Sequence, residues 1–388
     1  MRNQGKVMNH DKSRLYPIEE LYHQGDHFFD ELLMACEKAQ EQILIEAYTF
    51  ETDELGMRLL KVLNRKASEG VEVKILIDAI GSFKFKRKIL KKYSDLELRF
   101  YNPLPLQSLG SRKSFKSTLN QIFIGLFCIN NRNHRKLYLI DQSIAFIGSI
   151  NITSHHSYRI RGERSWRDSG LKIIDHNCHL LLDSFQHNWN HHLRPIHKYQ
   201  SKTWYKKIRR SRYRMNHCRK ARFRFHQDLI QKIYQAKRRI WITNPYFVPT
   251  EEFCKALKDA SQRDVDIKIL IPRKSDMKLF PLINSLTGRK LVENKIKVFE
   301  YLPRILHSKI MIIDDWCSLG SSNLNSRSFK HDLELDIILE DSINIGRLTR
   351  QFLDDLTQSV QLEKHDIMSL YGKHFFKGNF LRLIKYWL

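Results

Sequence analysis

The chain has 388 residues, 42% hydrophobic and 28% charged, which suits one large α/β domain or two ordinary ones and excludes wholesale disorder. Its formal net charge of +25 exceeds what solubility needs and calls for an anionic partner, either nucleic acid or an acidic membrane surface. No apolar run approaches the roughly 20 residues of a membrane span, the first residues lack a signal-peptide core, and six scattered cysteines without a C-x2-C pair argue against zinc and for a reducing compartment.

In chain order, QILIEAYTF (42–50) and VEVKILID (71–78) read as strands buried on both faces. Between them Met57, Leu60, Leu63 and Ala67 follow helical spacing and Gly70 supplies a stop. Residues 105–130 mix cations with an apolar IFIGLF run. They read either as a lipid-dipping lip carrying Lys116 or as a buried strand. HRKLYLID (134–141) and AFIGSIN (145–151) form a strand, a turn and a second strand. The stretch 187–226 holds WYKKIRRSRYRMNHCRKARFRF, without an acid. It reads as a connector, either solvated or interfacial, with Trp204, Tyr205, Phe223 and Phe225 entering a headgroup layer. The pattern then restarts: RIWITNPYF (239–247), a helical segment, VDIKILIP (265–272), HSKIMIID (307–314) and SLGSSN (318–323). The tail beyond Asp366, which mixes Phe, Leu, Ile and Trp with Lys and Arg, reads as an interfacial helix, with ordinary packing on the C-terminal half as the alternative. The expectation is a duplicated strand–helix–strand fold, with halves 1–190 and 227–388 joined by 187–226.

Each half carries His-x-Lys-x4-Asp followed by Gly-Ser-x-Asn: His134, Lys136, Asp141, Ser149 and Asn151, then His307, Lys309, Asp314, Ser321 and Asn323. One such motif is weak evidence; two in equivalent places are strong. Residues two apart on a strand share a face, so each His and Lys can reach one phosphate. The lysines would neutralise a phosphodiester's oxygens, with Asn151, Asn323 and the hydroxyls of Ser149 and Ser321 donating to it. One histidine would attack phosphorus and the other would serve the alkoxide as acid and then base. With the lysines supplying positive charge, no metal or other cofactor is expected. Asp168 and Glu334 lie at similar distances past their motifs and are candidates to orient the histidines. Asp141 and Asp314 belong to the signature but are better placed to tie down strand ends.

These residues, with Asn131-Arg-Asn-His134-Arg-Lys136, Ser165-Trp-Arg-Asp168 and Asn244-Pro-Tyr-Phe-Val-Pro249, resemble bacterial cardiolipin synthases of the phospholipase D superfamily over about 20–340. The likeness is to the shorter synthases that lack paired N-terminal transmembrane helices. It implies two mixed-sheet α/β halves related by a pseudo-twofold axis, with the active site at their interface. It also implies phosphatidyl transfer to phosphatidylglycerol, and His134 as nucleophile with His307 as acid and base. The carboxylates would then act crosswise, Glu334 on His134 and Asp168 on His307. The partners so implied are phosphatidylglycerol, cardiolipin and the cytoplasmic face of a bacterial inner membrane, with nucleic acid disfavoured. A hydrolytic phospholipase D is the alternative, a nuclease of the same chemistry a more distant one, and the oligomeric state is left open. Three departures stand out, the first being that residues 105–130 form a longer insertion than the shorter synthases usually carry. Five residues separate Asp314 from Gly320 where six separate Asp141 from Gly148, so Asn323 is expected to sit differently from Asn151. Asp332 also adds negative charge near Glu334.

Overall fold

The computed structural model describes residues 17–103, 131–175, 178–193, 202–277 and 280–363. The expected lip at 105–130, the tail beyond Asp366 and the side chains of Trp204 and Tyr205 lie outside them.

The first half contributes β1 (Ile18–Tyr22), β2 (Gln42–Ala47), β3 (Glu72–Asp78), β4 (Glu97–Tyr101), β5 (Leu137–Ile140), β6 (Ile144–Gly148), β7 (Trp166–Arg167) and β8 (Gly170–Ile174). The second contributes β9 (Tyr213–Met215), β10 (Arg239–Thr243), β11 (Asp266–Pro272), β12 (Lys297–Tyr301), β13 (Ile305–Leu306), β14 (Ile310–Ile313), β15 (Trp316–Gly320), β16 (Leu335–Ile338) and β17 (Ser359–Gln361). One sheet runs β1-β8-β6-β5-β2-β3-β4 and the other β9-β16-β15-β14-β10-β11-β12-β17. Apart from the added edge strand β17 the two orders superimpose strand for strand, each combining parallel pairs (β2 with β3, β10 with β11) and antiparallel ones. The repeat read in the sequence is therefore a repeat of topology.

The two sheets pack face to face, because alternate residues of each strand are apolar on both sides. Leu137, Leu139, Ile310 and Ile312 share one core between the sheets. Tyr138 and Ile140 face the helices Gly25–Lys38 and Glu54–Ser68, while Met311 and Ile313 face Arg219–Gln235 and Glu251–Gln262. The layers run helix, sheet, sheet, helix. The helix predicted from Met57 to Ala67 is Glu54–Ser68, capped by the Asp53 carboxylate and ended at Gly70, whose φ of +93° only glycine adopts without strain.

The stretch 187–226 is not simply a connector. Tyr213 and Met215 are buried in the inter-sheet core while Arg214, between them, points away and pairs with Asp228 at 3.0 Å. This alternation makes β9 the edge partner of β16 and the counterpart of β1. Phe223 is exposed on the following helix, while the Arg214 guanidinium covers Phe225.

The shorter second hairpin also has a local resolution. Leu137 faces Ile147 and Ile310 faces Leu319, so Gly148 and Gly320 hold equivalent places beside Lys136 and Lys309. The missing residue is absorbed in the turn. Asp141 and Gln142 have positive φ in the longer turn, Asp314 alone in the shorter.

Candidate active site

The motif histidines stand three residues before β5 and β14 at the interface, and backbone pairing between the halves holds them there. His134 N–H donates to Leu333 O at 2.9 Å, and Leu333 N–H to Arg132 O at 2.8 Å. On the other side β13 pairs in parallel with β7, and His307 N–H donates to Arg167 O at 2.8 Å. Each half thus lays the segment carrying its carboxylate against the segment that delivers the other half's histidine.

The side chains follow. Glu334 Oε2 lies 3.1 Å from His134 Nδ1, which also faces Ser321 O at 3.1 Å. Asp168 Oδ2 lies 2.7 Å from His307 Nδ1. With Nδ1 donating to a carboxylate, Nε2 of each ring is left for chemistry. The Lys136 and Lys309 ammoniums donate to the carbonyls of their own histidines at 2.6 Å, and Lys309 also donates to His307 Nε2 at 3.0 Å. All four side chains are buried.

Burial among cations sets the electrostatics. It holds His134 well below the ordinary imidazole range, with Lys136, Lys309 and His307 adding to the effect. Burial lowers Lys136 to about 7 and Lys309 to about 8. The two carboxylates diverge. Burial pushes Glu334 up, countered by Lys136 and the hydroxyls of Ser321 and Ser328. Burial would raise Asp168 too, but the charge and hydrogen bond of His307 hold it below its usual value. Asp332 is raised by burial to about 7 and paired with Arg327 at 3.0 Å, so the negative charge expected beside Glu334 is largely muted.

The geometry bears on three readings. Asp141 and Asp314 tie down strand ends, as expected from their place in the motif, although the signature counts them with the catalytic set. The readings of the serines and of Asn323 are corrected. Asp141 and Asp314 sit at the far ends of their strands, about 20 Å from the histidines at a strand's rise per residue. Each accepts three backbone N–H groups, Asp141 from Gln40, Glu41 and Gln42, and Asp314 from Lys237, Arg238 and Arg239. They lock β5 to β2 and β14 to β10 and touch nothing reactive. Ser149 and Ser321 do not face a phosphate either. Their hydroxyls donate to Asp168 and Glu334, because a buried carboxylate is the strongest acceptor in reach. Lastly, Asn323 does differ from Asn151, though not through the hairpin. Asn151 Oδ1 accepts Thr49 N–H at 3.1 Å, which turns its amide nitrogen outward. At the matching position Tyr246 N–H donates instead to Asn244, and Asn323 Oδ1 is buried without a partner.

Other residues of the site were not read from the sequence. Tyr48 packs on His134 at 4.8 Å between ring centroids, and Tyr246 on His307 at 6.0 Å. Asp78 accepts Asn133 N–H at 2.9 Å and Glu46 accepts the Asn133 amide at 2.6 Å, fixing the approach to His134. Gly148 and Gly320 allow their strands to come close here; a Cβ would lie 2.6 Å from Ser169 O and 2.1 Å from Asp336 Oδ1.

His156 is the least expected member. It stands five residues after Asn151, as Ser328 stands five after Asn323. Ser328 Oγ accepts Asn323 N–H at 3.2 Å and donates to Glu334 at 2.6 Å. His156 Nε2 accepts Asn151 N–H at 3.3 Å, so its proton is on Nδ1, which lies 3.3 Å from Asp168 Oδ2 in contact but poorly aligned for a hydrogen bond. An imidazole thus stands where the other half has a hydroxyl. His156, Asp168 and His307 present metal-capable atoms within 4.8 Å of one another. Yet the 2.7 Å His307–Asp168 separation suits a shared proton, whereas two ligands of one tetrahedral zinc stand about 3.3 Å apart.

The model of the family described as cardiolipin synthase, phospholipase D-like domain, matches residues 32–189 and 229–356. The chain belongs to this family. It is 30% identical over 367 residues to a cardiolipin synthase of Listeria innocua, covering 93% of this chain and 72% of that protein. A cardiolipin synthase of Staphylococcus aureus is 29% identical over 355 residues, covering 89% and 68%. Among solved structures, phosphatidylserine synthase of Haemophilus influenzae shares the fold with a TM-score of 0.67 at 14% identity, covering 95% of both chains. Polyphosphate kinase from Porphyromonas gingivalis matches at 0.55 and 13% identity, over 87% of this chain and 50% of that one. The family's fold is thus the duplicated one described here, and the matched segments contain both His-Lys pairs.

Proposed function

We propose that the protein is a phosphatidyltransferase that forms cardiolipin from phosphatidylglycerol through a phosphohistidine. The observation that carries this reading is the pair of facing His–Lys sets, each completed by a carboxylate from the opposite half. The cardiolipin synthase relatives support the lipid as substrate.

In the first step His134 Nε2 attacks phosphorus of one phosphatidylglycerol. The P–O bond to the headgroup breaks, and the departing glycerol oxygen takes a proton from His307 Nε2. In the second, a glycerol hydroxyl of another phosphatidylglycerol loses its proton to His307 and attacks phosphorus as the P–N bond breaks. Lys136, Lys309 and the Asn151 amide would hold the equatorial oxygens, the kind of fixed donors that typically supply the largest part of such catalysis. The unequal carboxylates support the division of roles. Burial and Lys309 lower His307 as well, but the anionic Asp168 opposes them and favours the imidazolium that an acid needs. His134, held well below its usual pKa, favours a neutral nucleophile.

The membrane surface is part of the proposal. Among the described residues no helix is long and apolar enough to cross a membrane. The excess of cations supports peripheral attachment to anionic lipid on the cytoplasmic face.

The test is to incubate purified protein with phosphatidylglycerol vesicles and analyse lipids and headgroups. Cardiolipin with an equivalent of glycerol is expected. Phosphatidic acid alone would assign a hydrolase, and activity confined to DNA or RNA would overturn the lipid reading. Acid-labile, base-stable labelling that persists in His134→Ala but not in His307→Ala would reverse the two roles.

A further inference from the structure

We propose that the loops after β3 and β11 are two pseudo-twofold-related feet that seat the catalytic end of the molecule on an anionic lipid surface. The proposal rests on the lipid reading above and assigns the residues that meet the bilayer.

The two strands are topological equivalents, and each runs parallel to a strand that leads into an active-site tyrosine, β2 into Tyr48 and β10 into Tyr246. Their loops therefore leave the same end of the molecule as His134 and His307. The first loop is rooted directly against the site. Ser82 Oγ donates to Tyr48 O at 2.9 Å and accepts Phe50 N–H at 3.0 Å. Gly81 is so close that a Cβ would lie 2.7 Å from the Tyr48 ring. Phe85 is buried among Phe50 and Phe100.

Between these anchors Phe83 turns outward. At 71% exposure it is the most exposed large apolar side chain among the described residues. A loop anchored on both sides that still presents a phenylalanine to water is not a packing residue out of place. Residues 79–92 contain six lysines and arginines and no acid. Lys84 lies over the Phe83 ring and pairs with Glu51, while Lys86, Lys88, Lys91 and Lys92 are exposed beside them.

The second loop repeats the arrangement with different residues. Tyr246, packed on His307, donates its hydroxyl to Asp276 at 2.7 Å, and the next residue, Met277, is 47% exposed. Arg273, which also faces Glu300 at 3.6 Å, and Lys274 precede it, and Lys274 reaches Pro303 O at 2.9 Å, next in sequence to exposed Leu302.

An apolar tip ringed by cations matches a bilayer of anionic lipids, where the tip enters the acyl boundary and the cations meet phosphates. Two such tips either side of the site would hold both histidines at headgroup level. A lipid could then present its phosphodiester without leaving the bilayer. Nucleic acid would use the cations but has no use for two apolar tips at opposite sides of one site.

The full-length protein, Phe83→Ser, Met277→Ser and the double variant are compared in four measurements: cosedimentation with phosphatidylglycerol and with phosphatidylcholine vesicles, cardiolipin formation on phosphatidylglycerol vesicles, turnover of short-chain phosphatidylglycerol below its micellar concentration, and binding of single-stranded DNA. Thermal melting checks the fold. We expect the double variant to lose at least tenfold in apparent affinity for phosphatidylglycerol vesicles and a similar factor in vesicle turnover. Monomeric turnover should stay within twofold. Unchanged vesicle binding overturns the feet and leaves the catalytic reading standing. Equal losses on monomeric and vesicular lipid also overturn them, since the loops would then act on the site itself. If wild-type protein makes no cardiolipin but its vesicle binding still falls tenfold in the double variant, the feet stand and the catalytic reading fails. Single-stranded DNA binding lost in place of vesicle binding would overturn the lipid partner.

Discussion

The exchange of a serine for a histidine between the two half-sites can be tested by reversing it. In the second half a short donor, Ser328, meets a long carboxylate, Glu334, at 2.6 Å; in the first a long donor, His156, meets a short carboxylate, Asp168, at 3.3 Å. The combined reach is similar, so each donor is matched to its own carboxylate. His156→Ser alone would leave a hydroxyl roughly 2 Å short of Asp168, a little over one bond length. Hydrogen bonds to charged groups are worth about 1.5–3 kcal/mol, and a contact too misaligned to be one contributes less, about 1 kcal/mol. Loosening the group that orients His307 should then lower kcat roughly fivefold, with little change in KM. Asp168→Glu alone forces an extra methylene into a packed site, costing about 1–3 kcal/mol. The double variant rebuilds the second half's arrangement, so it should be more active than either single, with a coupling of at least about 1 kcal/mol. The measurement is the initial rate of cardiolipin formation by the four proteins, with melting curves to confirm folding. Strictly additive losses would refute the idea that donor and carboxylate are matched.

Two further outcomes follow from the site's electrostatics and its strand ends. Burial leaves Lys136 at about 7 and Lys309 at about 8, so both are charged below these values and lose their protons as pH rises through them. A bound phosphodiester anion favours the ammonium, so kcat/KM should fall above about pH 7–8 while kcat falls only at higher pH; parallel falls would contradict this. Asp141→Ala frees three backbone donors at a strand end, so it should cost about 1–3 kcal/mol of stability and lower the melting temperature. Turnover of the folded protein should stay within about twofold, and a hundredfold loss would return Asp141 to the chemistry.

The repeat was legible because parallel strands buried on both faces read as continuous apolar runs, and two such pairs recur around helical spacing. The His-x-Lys face was legible for the simpler reason that strands alternate. β9 was hidden by its charge: in Arg212-Tyr-Arg-Met-Asn216 the cations drew attention from the alternating Tyr213 and Met215, which are what the core uses. Ser149 and Ser321 were misread because a hydroxyl beside a signature motif suggests a ligand, whereas a buried carboxylate competes for it more strongly. His156 could not be matched to Ser328 by residue type. Only the shared five-residue offset from Asn151 and Asn323 pointed to the match.

The backbone pairing between halves, Asn133 with Leu333 and Ile305 with Trp166, has a consequence for how the protein fails. Each histidine is held by a main-chain bond and a carboxylate from the opposite half, so opening the seam between the sheets misplaces both at once. Partial unfolding of one half would then leave no half-working enzyme behind. Activity, used as a probe of denaturation, should report the seam, and should be lost before the secondary structure of either half melts.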